Sequence, residues 1–298
     1  MDGIINVYKE KGFTSHDVVA KLRGILRQKK IGHTGTLDPD AEGVLPICLG
    51  SATKLCDMLT DKSKTYETVM LLGKETDTQD ISGEVLAEKN VSCDKEEIKQ
   101  AIMSFVGEYD QIPPMYSAKK INGKKLYELA REGKVVERKP SHVCIHEIDI
   151  LEWNLEENEV RMKIFCSKGT YIRTLCHDIG QSLGCGACMK ELLRTKVSRF
   201  ELKDSLTLQK IEELKASDQI EDYILEPDKV LFEYAAMQTK KEADRLVYNG
   251  NALYKNQLIA MEDGKKEQYR IYDSNGKFMG IYAWNEGMKA YKPVKMFL

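Results

Sequence analysis

Residues 31–54 read IGHTGTLDPDAEGVLPICLGSATK, and the organisation of the chain follows from them. The stretch holds four glycines, two prolines, one histidine and three acids, which is the composition of a shaped loop. Gly32, Gly35 and Gly43 open backbone angles closed to other residues, while Pro39 fixes the chain after Asp38 and keeps Asp38 out of the helical region. Asp38 therefore lies on a rigid, extended turn. Its carboxylate either closes that turn through its own side chain, the common fate of Asp before Pro, or is held out as a reactive group.

Upstream of this loop, residues 4–8 read as a short buried strand and residues 9–12 as a turn. A helix starts at Thr14, where Thr14 and Asp17 have capping-box spacing. Val18, Leu22, Ile25 and Leu26 share one face of it, and the other face carries Lys21, Arg23 and Arg27 toward the Asp38 loop. Downstream, residues 51–59 have a helical pattern. Residues 65–73 read as a strand running into an acidic hairpin at 75–83, whose Asp77 and Asp80 lack the alternating ligands of a calcium loop.

Ile98, Ala101, Ile102 and Phe105 follow helical spacing, and Pro113-Pro114 then breaks the chain before a basic segment reaching Gly133. Strands follow at 143–153 and 159–166, a helix begins near Tyr171, and residues 192–202 read as another strand. The expected class is α+β: a mixed, mostly antiparallel central sheet with helices against it. A boundary falls at 226–233. Beyond it a short helix at 240–247, an Asn275-Gly276 hairpin signal and a strand at 278–284 describe a small β-rich module.

The 298 residues are 42% hydrophobic, ordinary for a globular chain with a sizeable core. No apolar run has the length of a membrane helix and the first residues lack a signal-peptide pattern, so a cytoplasmic location is expected. Eight cysteines, several inside apolar patterns, fit reduced core thiols better than a disulfide framework. Cys185 and Cys188 form a CxxC without a correctly spaced second ligand pair, so GCGACM reads as small residues at a tight helix start and not as a zinc site. The net charge of −2 excludes a uniformly basic surface, and any nucleic-acid binding must come from local clusters. Three clusters qualify: Lys21, Arg23, Arg27, Lys29 and Lys30; the eight bases against three glutamates in 119–139; and Lys190, Arg194, Lys196 and Arg199. No Walker A loop, GxGxxG or HExxH is present.

GHTGTLDPDAEGVLPICLGSATK closely resembles the core motif of the TruB family of tRNA pseudouridine synthases. The stretches KTYE at 64–67, DTQD at 77–80, QIPPMYSAKKINGKKLYELAREG from 111 and CSKGTYIRTL from 166 match in the same order, so the resemblance spans residues 4–200. It implies a pseudouridine synthase catalytic domain over 1–228, with an RNA-gripping insertion at about 111–139, and a PUA-like RNA-binding domain over 229–298. It also implies isomerisation of uridine to pseudouridine at position 55, in the T-loop of tRNA. That reaction has no redox step and no net hydrolysis, so neither cofactor nor metal is required.

By the resemblance, Asp38 is the essential carboxylate, Arg173 its paired cation and Tyr66 the active-site tyrosine, stacked on the uracil or moving protons. Read without it, Arg173 is an ordinary surface arginine and Tyr66 half-buried packing. The target uridine must leave its stack to be reached. His33 stands at the position that enters the vacated space, Tyr171 and Leu192 are an aromatic contact and an apolar wall of the pocket, and Lys9 is a basic residue beside the first strand. Lysines of the insertion would contact phosphates, leaving specificity to the shape of the T-arm and the flipped base. The family implies a monomer without an obligatory protein partner. A non-catalytic RNA chaperone using the same cleft, and a guide-RNA-dependent relative within a larger particle, are the other readings. The absence of long basic termini disfavours the second of these.

Overall fold

The computed structural model describes residues 1–60, 63–121 and 123–298, with Lys265 described in its backbone alone. Strand β1 (Gly3–Lys9) is almost wholly buried and leads to helix α1 (Ser15–Leu26). Both halves of the capping box form, Thr14 accepting from the Asp17 N–H and Asp17 from that of Thr14. Val18, Val19, Leu22 and Leu26 face the core, while Lys21, Arg23, Arg27, Lys29 and Lys30 are exposed as the amphipathic pattern predicts. Next come β2 (Ile31–His33), β3 (Glu42–Leu49), the short α2 (Cys56–Thr60) and β4 (Lys64–Leu72).

The acidic hairpin is bounded by β5 (Lys74–Thr76) and β6 (Val85–Glu88), and α3 (Lys95–Met103) precedes β7 (Gly107–Gln111). The predicted insertion contains β8 (Lys120–Ile121), β9 (Lys124–Lys125) and α4 (Leu126–Arg131), and Asn122 within it lies outside the described residues. Strands β10 (Ser141–Asn154) and β11 (Glu159–Cys166) form a long hairpin, followed by α5 (Ile172–Ser182), β12 (Ala187–Val197) and β13 (Phe200–Glu201). Helix α6 (Leu208–Ala216), β14 (Ile224–Leu225) and α7 (Pro227–Val230) complete this part.

The main sheet has ten strands, with the path β14-β1-β3-β12-β4-β11-β10-β7 and β2 and β13 added at its side. Along that path only β3 and β12 run parallel, meeting at Leu193↔Glu42 and Arg194↔Gly43. That short junction places the loop between β2 and β3 directly over β12. One core cluster packs β4, β11 and β12 under α3 and α5, and another packs β1 and β3 under α1 and α6.

A second sheet of five strands begins at Tyr234. It comprises β15 (Tyr234–Thr239), β16 (Leu258–Glu262), β17 (Lys265–Tyr272), β18 (Phe278–Asn285) and β19 (Ala290–Met296), with α8 (Asp244–Tyr248) after β15. The Asn275-Gly276 turn lies between β17 and β18, with Gly276 at φ +83. The sheets share a core cluster in which Leu55, Leu59 and Phe200 join Val230, Leu231, Ile281 and Phe297. Among the described residues no helix is long and apolar enough to cross a membrane.

Two sequence expectations are corrected. GCGACM is not a helix start: Gly184 and Gly186, at φ +76 and +75, make a turn that enters β12, which begins at Ala187 and not at the predicted Leu192. Residues 187–191 lack the β-branched signature of a strand, and the small side chain of Ala187 suits close packing on α5. A Cβ at Gly180 of α5 would stand 2.1 Å from the Ala187 nitrogen. The third basic cluster is also not a free basic face. Lys190 pairs with Glu159, Lys196 with Glu201, and Arg199 bonds the Lys229 carbonyl. Arg194 is buried.

At the β3–β12 junction Gly43 has φ +107, and a Cβ there would lie 2.2 Å from the Arg194 carbonyl oxygen. Gly43→Ala is expected to cost about 2 kcal/mol or more, from backbone strain and steric overlap together. Urea denaturation checks this, and a loss below about 0.5 kcal/mol, the size of a neutral surface change, would refute the close approach.

Candidate active site

Several backbone groups around Asp38 are tied to neighbouring elements. The Leu37 N–H donates to the Ser15 hydroxyl at 2.9 Å, Thr34 bonds the Pro46 carbonyl, and the Gly12 N–H reaches the Pro39 carbonyl at 2.9 Å. The turn itself closes through the backbone, Ala41 N–H to the Asp38 carbonyl at 3.1 Å. Turn closure therefore does not use the Asp38 carboxylate, which is left to other partners. Both carboxylate oxygens meet Arg173, Nε to Oδ2 at 3.1 Å and Nη2 to Oδ1 at 3.3 Å.

Arg173, in the first turn of α5, is held as firmly as it holds. Its side chain is only 6% exposed. Nη1 donates to the Thr78 carbonyl at 3.1 Å and to Asp80 Oδ2 at 3.3 Å, and Nη2 donates to the Tyr116 carbonyl at 2.9 Å. A buried guanidinium with its donors satisfied on several sides has little freedom to turn, so the fork geometry fixes the carboxylate it clamps. The hairpin read as a plain turn thus supplies a second acid to the site. Asp80 is itself oriented by the hydroxyls of Thr78 and Ser82, at 2.8 and 2.6 Å.

The Asp38 side chain keeps 38% exposure, open to an incoming group although protein surrounds most of it. This crowding raises its pKa above the usual carboxylate value. Arg173 and Lys9 oppose the rise, and the negative charges of Asp80 and Asp40 add to it. The carboxylate is therefore more basic than a free aspartate while remaining paired.

Tyr66 lies on β4 with Ile164 and Arg194 as its cross-strand neighbours. It is 7% exposed, and burial pushes its hydroxyl up to about 12, which keeps it a neutral phenol. Leu192 lies in the same core cluster as Tyr66 and Leu37. Tyr171 is partly buried at the N-cap of α5. His33 is partly exposed, packs edge-on against His16 with ring centroids 5.2 Å apart, and has its pKa lowered by burial. Its Nδ1 faces the Gly35 N–H at 3.4 Å, which places the ring proton of the neutral form on Nε2.

Two cations act differently from their sequence reading. Lys9, expected as a substrate contact, is fully buried, and its Nζ donates to the carbonyls of Glu10, Phe13 and Pro39 at 3.1, 2.6 and 3.1 Å. Burial pulls its pKa down to about 8 against the attraction of Asp38, Glu42 and Asp40. It holds the loop from below. Arg194, assigned to a basic surface, is 1% exposed, and its Nε donates to the Val44 carbonyl at 2.7 Å while its Nη atoms face the carbonyls of Thr36 and Gly35. Strand alternation with buried Leu192 was the signal for it. The unexpected role of Asp80 had no such signal, because its partner lies 93 positions away. Cys185 and Cys188 are buried free thiols, and among the described residues no group of three metal-ligating side chains forms.

Comparisons with known proteins bear on this geometry. Residues 23–172 match the model of TruB family pseudouridylate synthases (N-terminal domain), and residues 173–231 that of the tRNA pseudouridylate synthase B C-terminal domain. A solved structure of an H/ACA RNP bound to a substrate RNA containing 2′-deoxyuridine superposes with TM-score 0.74 at 25% identity, covering 99% of this chain and 85% of that one. The catalytic fold, with its smaller PUA-like β-rich appendage, is that of a pseudouridine synthase. The chain is 55% identical to tRNA pseudouridine synthase B of Lachnoclostridium phytofermentans and 43% identical to that of Clostridium kluyveri, each over the full length of both chains. It belongs to the TruB family, and it isomerises uridine to pseudouridine in tRNA.

A raised pKa has a consequence for stability. The folded state holds the Asp38 proton more tightly than the unfolded chain does, so stability falls as pH rises from the unfolded toward the folded pKa, and the ionised group remains a cost above both. Asp38→Asn is therefore expected to leave the thermal midpoint at pH 7 unchanged or higher. A lowered midpoint would show that the Arg173 pair is a net structural asset.

Proposed function

We propose that this chain acts on the T-loop uridine at position 55 of tRNA, with Asp38 as the catalytic carboxylate. The observation that carries the reading is the two-point contact between an accessible Asp38 and a buried, otherwise saturated Arg173. In the reaction the bond from N1 to C1′ breaks, the base turns, and C5 bonds to C1′. The C5 proton leaves and N1 takes one up, so no oxidant is needed and no water is consumed. A carboxylate pinned before substrate arrives can approach the sugar or base without reorganising, and this pre-organisation lowers the barrier. Tyr66, protonated at neutral pH, suits stacking on the uracil or donating a hydrogen bond better than acting as a base.

His33, a mostly neutral imidazole beside the loop, would enter the space that the flipped base vacates, and Tyr171 and Leu192 would bound the pocket. Exposed bases of α1 and of the insertion, including Lys119, Lys120, Lys124 and Lys134, would contact phosphates and supply affinity that falls with salt. In this reading residues 1–228 are the catalytic unit and 229–298 the RNA-binding appendage. The protein works in the cytoplasm as a monomer on free tRNA.

Tritium release from a tRNA transcript labelled at uridine C5 tests the proposal. Wild type should release tritium from position 55 without a guide RNA, and Asp38→Asn should lose release while keeping tRNA affinity. If neither protein releases tritium although both bind, the chaperone reading replaces this one. The wild-type single-turnover rate should also fall with decreasing pH at a midpoint above the ~3.9 of a free aspartate. A midpoint at or below that value would contradict the raised pKa of Asp38.

A further inference from the structure

The insertion leaves the main sheet at Gln111, the last residue of β7, and returns at Ser141, the first of β10, and these two residues pair in register. Gln111 is completely buried. A buried amide is costly unless its donors and acceptor are met, and those of Gln111 are met by one distant residue and one near one. Its Oε1 accepts from the Tyr171 N–H at 2.7 Å, and its Nε2 donates to the Tyr171 carbonyl at 3.0 Å and to the Tyr109 hydroxyl. One side chain thus holds both polar backbone groups of a residue 60 positions away.

Tyr171 needs such a holder. It is the N-cap of α5, has an extended backbone at φ −96 and ψ 109, and makes no side-chain capping bond of its own. Two residues later Arg173 leaves the first turn to clamp Asp38. The first residues of the insertion also reach this turn, because the Tyr116 carbonyl accepts from Arg173. The root of the insertion and the start of α5 are therefore one hydrogen-bonded unit, and Gln111 is its most buried member.

We infer that Gln111 is a positioning residue for pseudouridine formation: from the root of the insertion it fixes the Tyr171 peptide, and through it the turn of α5 from which Arg173 holds Asp38. The inference rests on the reading of Asp38 and Arg173 as the catalytic pair. Gln111 touches neither of them, so it acts through backbone geometry alone. A shift of α5 by about 1 Å is enough to cost on the order of a hundredfold in rate.

Gln111→Met keeps the length of the side chain and removes its hydrogen bonds. The single-turnover rate of tritium release at saturating enzyme should fall about tenfold or more, with the tRNA Kd within about threefold of wild type. A role in stability alone would lower the thermal midpoint and leave that saturated rate within about twofold of wild type, which would overturn the inference. Arg173→Lys, alone and combined with Gln111→Met, gives a second reading. If Gln111 acts through Arg173 the two losses combine less than additively, and full additivity would also overturn it. Should Gln111→Met fail to fold, Gln111→Asn, whose amide falls one methylene short, is put through the same assays with the same deciding outcomes. Asp38→Asn run alongside separates the two levels. Persistent release by that variant breaks the catalytic-pair reading, whereas its inactivity beside a normal Gln111 variant removes only the role of Gln111.

Discussion

The guanidinium of Arg173 is the constraint on which the site depends. A charge 6% exposed must be compensated on several sides, and the protein does this with Asp38, Asp80 and the carbonyls of Thr78 and Tyr116. Those partners come from the loop after β2, the hairpin after β5 and the root of the insertion. None of the three has a core of its own to fix it. The buried charge gathers them, and the Asp38 carboxylate acquires a defined position as a result.

The Asp38 loop has a second support, because buried cations must find acceptors and its carbonyls supply them. Lys9 and Arg194 reach into it from β1 and β12, and each donates to carbonyls of the loop or its flanks. Both are desolvated, which pulls both their pKa values down, and both draw part of their compensation from the field of Asp38. The loop and the Asp38 carboxylate are thus held by two buried cations whose donors are turned to backbone carbonyls. This explains why basic residues near a motif cannot be assigned to RNA contact from their charge alone: Lys21 and Arg23 point outward from a helix face, whereas Arg194 alternates inward with Leu192.

Much of the fold was legible because its signals are local. The capping box at Thr14, the apolar stripe of α1, the alternation in β10 and β11 and the turn at Asn275-Gly276 depend on neighbours within a few positions, and the structure places each element close to its expected bounds. The early start of β12 was not legible, since Ala187 and Cys188 carry no strand signature and are strand residues through their pairing with Leu72 and Leu71 of β4.

The sequence by itself determined that Asp38 stands on a rigid turn and that the chain shares the motifs of pseudouridine synthases. These follow from residue types and short spacings, which act before any tertiary contact forms. Only the tertiary structure decided that the turn closes through its backbone and leaves the carboxylate to Arg173, that Asp80 is the second acid on the same guanidinium, and that Lys9 and Arg194 are structural cations. Those outcomes depend on which groups are desolvated together. Desolvation is a property of the packed sheet, whose partners lie tens to hundreds of positions apart in the chain.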